Sequence, residues 1–227
     1  MSEEMKIENE QSQTPADVPV EETQNQEPLA LSVAVPTAVT MWNDDKLFIN
    51  AQRRGKALCT ADLVPDLYKN NMGNCLIAID LANRLGLAPL MVMQNLYVVK
   101  GKPSWSSPFC IAMVNGSGRF TPLEFVFVGE PGTPSHGCYA RATRRANGAS
   151  CISDTITLQM AQKEGWLNKP GSKWQTMPVH MMQYRAAAFF ARVHCPDILL
   201  GIPTYEEVQD VRGYETDAAP TVVTLDG

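Results

Sequence analysis

The stretch from Lys173 to Arg192, KWQTMPVHMMQYRAAAFFAR, predicts the main helix of the fold. Pro178 suits the first helical position, because its missing N–H would have no partner there in any case. An alanine-rich run follows, so a helix is expected over residues 178–195. Arg185 and Arg192 stand seven residues apart and share one face of this helix. Because that face is otherwise apolar, both arginines need an anion, which is either a structural carboxylate or a phosphate.

The charge of the chain is unevenly distributed. All 227 residues together have a net charge of −5. Residues 1–45 carry ten acidic side chains and one lysine, and residues 213–227 carry three acidic side chains and no base. Residues 46–212 therefore carry 18 Lys and Arg against 11 Asp and Glu, a net charge of +7. A basic body of this kind points to a polyanionic partner, and an ordinary solvated surface is the alternative.

The composition also predicts the compartment and the domain organisation. No apolar run approaches the ~18–20 residues of a membrane span, and the acidic start lacks the regions of a secretory signal. A cytoplasmic protein is expected, with its six cysteines reduced and mostly in the core. Residues 1–40 are expected to be a disordered acidic segment, because they are rich in polar residues and proline. Residues 41–212 are expected to form one domain, followed by a short acidic tail at 213–227.

The hydrophobic patterns and turn residues predict an α+β fold. A small antiparallel three-stranded sheet is expected, with flanking helices and the long C-terminal helix. Its strands are expected at residues 124–128, 137–145 and 151–158, with Asn147-Gly148 as the second turn. Further helices are expected at residues 50–61 with Asn50 as N-cap, 74–85, 108–114 and 158–164, and a hairpin at 95–100 and 103–106 with its turn at Gly101-Lys102.

Lys173 and Trp174 are candidate ligands of a nucleic acid at the start of the long helix. A cation beside a large aromatic ring suits neutralisation of a phosphate together with stacking on a base. The alternative for Trp174 is an anchor in the hydrophobic core.

Two further groups of cations are candidates for contact with a phosphate backbone. Arg141, Arg144 and Arg145 lie in the predicted second strand and beside its turn, with no acidic residue close in sequence. An exposed, solubilising hairpin is the alternative for this group. Lys100 and Lys102 lie at the predicted tight turn of KGKPSW, which is a weak signal alone.

Patterns typical of catalysis are missing from the sequence. No phosphate-binding GxxxxGK[ST] loop and no GxSxG motif occur, and the three histidines have no metal-ligand spacing. The sequence therefore predicts a protein that is not an enzyme and that has no metal site.

Several motifs resemble the RecT/Redβ family of phage single-strand DNA annealing proteins. They are GLAP (residues 86–89), PSWSS (103–107), GSGRF (116–120), SKWQTMP (172–178), YRAAAFFAR (184–192) and TYEEVQD (204–210). The resemblance covers residues 50–212, and its most specific part is SKWQTMP followed by YRAAAFFAR.

The resemblance implies a recombination protein that binds single-stranded DNA and anneals complementary strands without ATP or another cofactor. Such proteins assemble as homo-oligomers into rings or helical filaments and hold DNA in a basic groove. The matched groove residues are Lys173, Gln175, Arg185 and Arg192, with Trp174 supporting the groove wall. The resemblance leaves open a dependence of DNA binding on Mg²⁺.

The resemblance also implies partners and an origin. The expected partners are single-stranded DNA and the annealed duplex intermediate, and a phage exonuclease and a host single-strand-binding protein are further candidates. A phage- or prophage-encoded protein in the bacterial cytoplasm is expected. The sequence departs from the family where Val179 and His180 replace a Lys-Arg pair.

Two other functions stay open from the residues. One is a passive single-strand binder that protects DNA without pairing it. The other is an enzyme or metabolite-binding domain whose arginines clamp a phosphorylated small molecule.

Overall fold

The computed structural model describes residues 40–99 and 101–211, and their fold is mixed α+β, as expected. The predictions for residues 1–39, for Lys100 and for residues 213–227 lie outside the described residues. The helices are α1 (Asp45–Cys59), α2 (Met72–Leu85), α3 (Pro89–Asn95), α4 (Ser107–Gly116), α5 (Leu158–Lys163), α6 (Lys173–Thr176), α7 (Pro178–His194) and α8 (Tyr205–Val211), with a 3-10 helix at Pro196–Leu199. The strands are β1 (Leu96–Val99), β2 (Lys102–Trp105), β3 (Glu124–Val128), β4 (Gly137–Thr143), β5 (Ser150–Ile152) and β6 (Ile156–Thr157).

Helix α1 begins earlier than the sequence predicts. Asp44, not Asn50, is its N-cap, because the Asp44 carboxylate accepts a hydrogen bond from the Leu47 amide at 2.8 Å. Helix α2 ends as expected at Gly86, which takes a left-handed conformation with φ of 67°. The two helices pack against each other.

The β1–β2 hairpin is shifted by one residue from its expected turn. Val99 pairs with Lys102, so Lys102 belongs to strand β2 and not to the turn. The hairpin contacts α8, and the backbone of Trp105 donates to the Pro203 carbonyl at 2.9 Å.

The larger sheet is antiparallel, with β4 at its centre between β3 and β5. The third expected strand is divided into β5 and β6, and both pair with β4. Ser153 explains the interruption, since its hydroxyl accepts a hydrogen bond from the Ala140 amide at 2.9 Å. The expected Asn147-Gly148 turn connects β4 to β5, and Gly148 has a φ of 69°.

Helix α7 packs its alanine face against β4 and α4. Ala186, Ala187 and Ala191 are fully buried, and their small side chains permit a close approach of the neighbouring backbone. Phe190 lies in the same core with its ring at 5.4 Å from the Phe120 ring, in an edge-on arrangement. Burying a phenylalanine side chain in this way stabilises the fold by about 1.5–3 kcal/mol.

Three short helices, α3, α6 and α8, were not predicted from the sequence. Each has seven residues or fewer, which is too short for a periodic apolar pattern. Within the described ranges, no single helix is long and apolar enough to cross a membrane; only α2 and α3 together reach that length, with a bend of 109° between them.

Candidate nucleic-acid interface

The two arginines of α7 both lie next to one carboxylate. Arg192 donates to Glu207 with its Nη2 at 3.0 Å from Oε1, and Arg185 Nη1 lies 3.9 Å from the same oxygen. The guanidinium of Arg185 also stacks on Trp166, with its carbon 4.2 Å from the ring centroid. Of the two anions that the sequence allows for these arginines, the structure therefore shows a carboxylate of the protein itself.

Glu207 is held in place by the start of helix α8. Its second carboxylate oxygen accepts from the Thr204 amide at 2.8 Å and from the Thr204 hydroxyl at 3.1 Å, as in a capping box. Arg185 and Glu207 are buried, whereas the side chain of Arg192 is 58% exposed. The guanidinium of Arg192 thus contacts solvent as well as Glu207.

The residues before α7 divide into a buried and an exposed group. Trp174 is 2% exposed, with its ring at 5.2 Å from the Trp166 ring, so it packs in the core, as the alternative for this residue predicts. Gln175 donates from Nε2 to the Leu167 carbonyl at 2.5 Å, which closes the preceding loop. Lys173 is exposed and lines a cavity of about 400 Å³ with Trp174 and Tyr205.

The arginines of the β4–β5 hairpin have different surroundings. Arg141 forms an ion pair with Glu124 on the neighbouring strand, with Nη2 at 2.8 Å from Oε2. Arg144 and Arg145 form no ion pair with any residue that the structure describes.

Three arginines surround Phe120, and we call Arg119, Phe120, Arg144 and Arg145 the Phe120 cluster. The guanidinium carbons of Arg119 and Arg144 lie 5.9 and 5.8 Å from the Phe120 ring centroid. Arg145 donates from Nε to the Phe120 carbonyl at 3.0 Å, and its amide donates to the Arg119 carbonyl at 2.9 Å. Phe120 itself is buried, so the cluster has an apolar centre and a cationic rim.

The Phe120 cluster has an excess of positive charge. Asp197, which binds Arg119, is the one carboxylate paired with its arginines in the described part of the chain. The Nε–H of Arg144 is buried and makes no hydrogen bond to any described residue, so this guanidinium keeps unused donor capacity. Guanidinium groups that no carboxylate neutralises are suited to binding phosphate groups.

The buried thiol of Cys195 directly follows the last residue of α7. Burial raises the pKa of Cys195 to about 11, whereas Arg119 and Arg144 act to lower it. The thiol therefore stays protonated at neutral pH and is not a nucleophile.

The structure brings together only part of the predicted set. Arg144 and Arg145 join one cluster, while Lys102 lies on the hairpin that contacts α8. Arg119 was missed as a site residue because its contact with Arg145 depends on a backbone bridge between Phe120 and Arg144. Its place in GSGRF was the only signal in the sequence.

A scan against models of protein families finds no match, and searches of curated proteins and of solved structures find no significant match. Among the described residues, no group of three or more His, Cys, Asp or Glu is placed to hold a metal ion.

Proposed function

We propose that this chain binds single-stranded DNA and anneals complementary strands without ATP, as a homo-oligomer that forms rings or helical filaments. The observation that carries the proposal is the Phe120 cluster, in which Arg119 and Arg144 lie beside the Phe120 ring and Arg145 donates to the Phe120 carbonyl. The motifs shared with the RecT/Redβ family support the same function.

The chemistry of annealing fits a site built from arginines. A strand must be held by its phosphates so that its base edges stay free to pair, and contacts with phosphates carry affinity without sequence preference. Each neutralised phosphate also releases counterions, so the affinity falls steeply with salt. We assign Arg119, Arg144 and Arg145 to phosphate contacts, together with the exposed Lys173 and Arg192.

The role of the α7 arginines in this proposal is narrower than the family resemblance implies. Arg185 is buried between Trp166 and Glu207 and serves the fold. Arg192 is exposed enough to contact a phosphate while it stays paired with Glu207. Trp174 lines the cavity beside α6, and Gln175 closes the loop that precedes it.

The proposal is tested by annealing two complementary fluorescent oligonucleotides without ATP, with and without Mg²⁺, at two salt concentrations. The test variant is Arg144→Gln with Arg145→Gln, and the matched control is Arg141→Gln, because Arg141 is already paired with Glu124. We expect the test variant to lose about tenfold in affinity and the slope of log K against log salt to decrease by about 1.4, since each phosphate contact on a single strand contributes about 0.7.

The outcomes separate the competing functions. A wild-type protein that binds the oligonucleotides but slows their pairing is a passive protector. A wild-type protein without salt-dependent DNA binding contradicts both DNA functions and leaves the phosphorylated small molecule as the ligand class.

A further inference from the structure

Helix α1 exposes four cations that the proposed function does not use. Lys46, Arg53, Arg54 and Lys56 are all exposed, and none of them forms an ion pair with a residue in the described ranges. The two acidic residues beside them, Asp44 and Asp45, occupy the N-cap and the first turn.

The packing of α1 on α2 directs these cations outward. Ala51, Gly55 and Cys59 are buried at a spacing of four residues. The approach is close at Gly55, where an added Cβ would lie 2.8 Å from the Met72 sulfur and 3.6 Å from Cys75. At 100° per residue the cations lie on the opposite half of the helix.

Two exposed apolar side chains lie on or next to helix α1. Trp42, three residues before the helix, is 53% exposed and lies beside Phe48, with 6.0 Å between the ring centroids, and Phe48 packs on the side of α1 that faces α2. Ile49 is 47% exposed and lies on the cationic face between Lys46 and Arg53. Exposed cations without ion pairs on one helix face suit the phosphates of a nucleic acid.

A membrane surface fits α1 less well than a nucleic acid. A helix that lies on a lipid surface buries its apolar face in the membrane. The apolar face of α1 is instead occupied by α2, through Ala51, Gly55 and Cys59.

We propose that α1 is a second nucleic-acid-binding surface, which contacts the phosphates of the complementary strand during annealing. This inference rests on the proposed function. Two single strands repel each other, so a protein that pairs them gains from neutralising both backbones. The Phe120 cluster lies in the loop before β3 and in the turn after β4, whereas α1 packs on α2. The two basic surfaces therefore belong to different parts of the fold.

The test uses the full chain with Lys46, Arg53, Arg54 and Lys56 all replaced by Gln. The protein is first loaded with a substoichiometric labelled oligonucleotide, and the rate at which it captures the complementary strand is then measured against salt. We expect the affinity for the first strand to stay within about twofold and the capture rate to fall about tenfold. The slope of the log of the capture rate against log salt should decrease by up to about 2.8, because each of the four lost phosphate contacts contributes about 0.7.

Two control variants separate charge from folding. Lys69→Gln with Arg84→Gln removes two cations that are already paired with Asp66 and Asp80, and it should capture the complementary strand at the wild-type rate. Arg53→Lys with Arg54→Lys keeps the charge on α1 and should also retain capture.

Each remaining outcome overturns a stated part of the idea. A Gln variant that captures at the wild-type rate excludes α1 from annealing, while wild-type annealing itself leaves the proposed function standing. If the Gln variant loses affinity for the first strand as strongly as it loses capture of the second, then α1 binds the first strand instead. Binding to phosphatidylserine vesicles that the Gln variant loses, with unchanged annealing, assigns the surface to lipid. A wild-type protein that binds no oligonucleotide removes the proposed function and this inference together.

Discussion

Arg192 on α7 and Glu207 on α8 are joined by a 3.0 Å contact between Nη2 and Oε1. Glu207 is buried, and the same oxygen also faces Arg185 at 3.9 Å. The carboxylate therefore fastens the last described helix to the longest one and offsets charge that α7 carries into the core. Because Thr204 donates to its other oxygen, Glu207 has partners for both oxygens.

Replacing Glu207 with Gln should destabilise the fold by about 2–4 kcal/mol. Glutamine keeps an oxygen for the Thr204 amide but removes the buried negative charge that faces Arg185 and Arg192. Urea unfolding followed by far-UV circular dichroism measures the change. Glu130→Gln is the control, because Glu130 is exposed and pairs with no cation in the described ranges, and it should change stability by less than about 0.5 kcal/mol. Equal effects of the two variants would show that Glu207 is not a structural counter-ion.

Replacing Trp174 with Leu should affect stability and not DNA affinity. Trp174 is buried against Trp166, so the smaller side chain leaves a cavity and costs about 2–4 kcal/mol. The affinity for single-stranded DNA, measured by fluorescence anisotropy at a temperature where the variant is folded, should stay within about twofold. Base stacking is worth about 1–3 kcal/mol per base, so a loss of tenfold or more would show that a base stacks on Trp174.

Local signals in the sequence were sufficient for several elements. Helix α2 and strand β3 match their expected positions, because an apolar period and the stop at Gly86 act within a few residues. The interruption between β5 and β6 was not predictable in this way, since it depends on a hydrogen bond from Ala140 to Ser153 across the sheet. Helix α8 did carry a usable signal, the Thr204–Glu207 capping box, which the short apolar pattern obscured.

The candidate site was only partly predictable for a related reason. The sequence identifies arginines but not the carboxylates that neutralise them. Arg119 binds Asp197, which is 78 residues away, and Arg141 binds Glu124 on another strand. These long-range ion pairs decide which cations remain available to a ligand. Arg144 can therefore be identified only in the folded chain as a cation that pairs with no carboxylate in the described ranges.

Two glycines of the β3–β4 connection should respond differently to alanine. Gly129 and Gly132 both have positive φ, 75° and 82°, so alanine strains the backbone at either position by about 1–2 kcal/mol. At Gly129 the new Cβ would also lie 2.3 Å from the Ser135 carbonyl oxygen, whereas at Gly132 no atom lies within 4 Å. We expect Gly129→Ala to cost about 1–3 kcal/mol more than Gly132→Ala. Thermal unfolding of both variants measures the difference, and equal melting temperatures would contradict the close approach.

Tyr68 lies at an apolar pocket of about 350 Å³ between α2 and the β1–β2 hairpin. It is 2% exposed, and its hydroxyl makes no hydrogen bond to any residue that the structure describes. Burial raises the pKa of Tyr68 to about 12, with a smaller contribution from the nearby Cys75. The folded chain therefore holds the phenol proton more tightly than the unfolded chain does.

This difference predicts how Tyr68→Phe changes stability with pH. The contribution of the neutral phenol is fully present below the ordinary pKa of 10 and is lost as the pH rises from 10 to 12. The wild type should therefore lose about 2 kcal/mol more than Tyr68→Phe over this interval, and near pH 7 the two should be similar, because phenylalanine removes a buried hydroxyl without a partner. Urea titrations at several pH values measure both profiles, with the exposed Tyr97→Phe as control. Parallel profiles for wild type and Tyr68→Phe between pH 10 and 12 would show that this phenol ionises as easily in the folded chain as in the unfolded one.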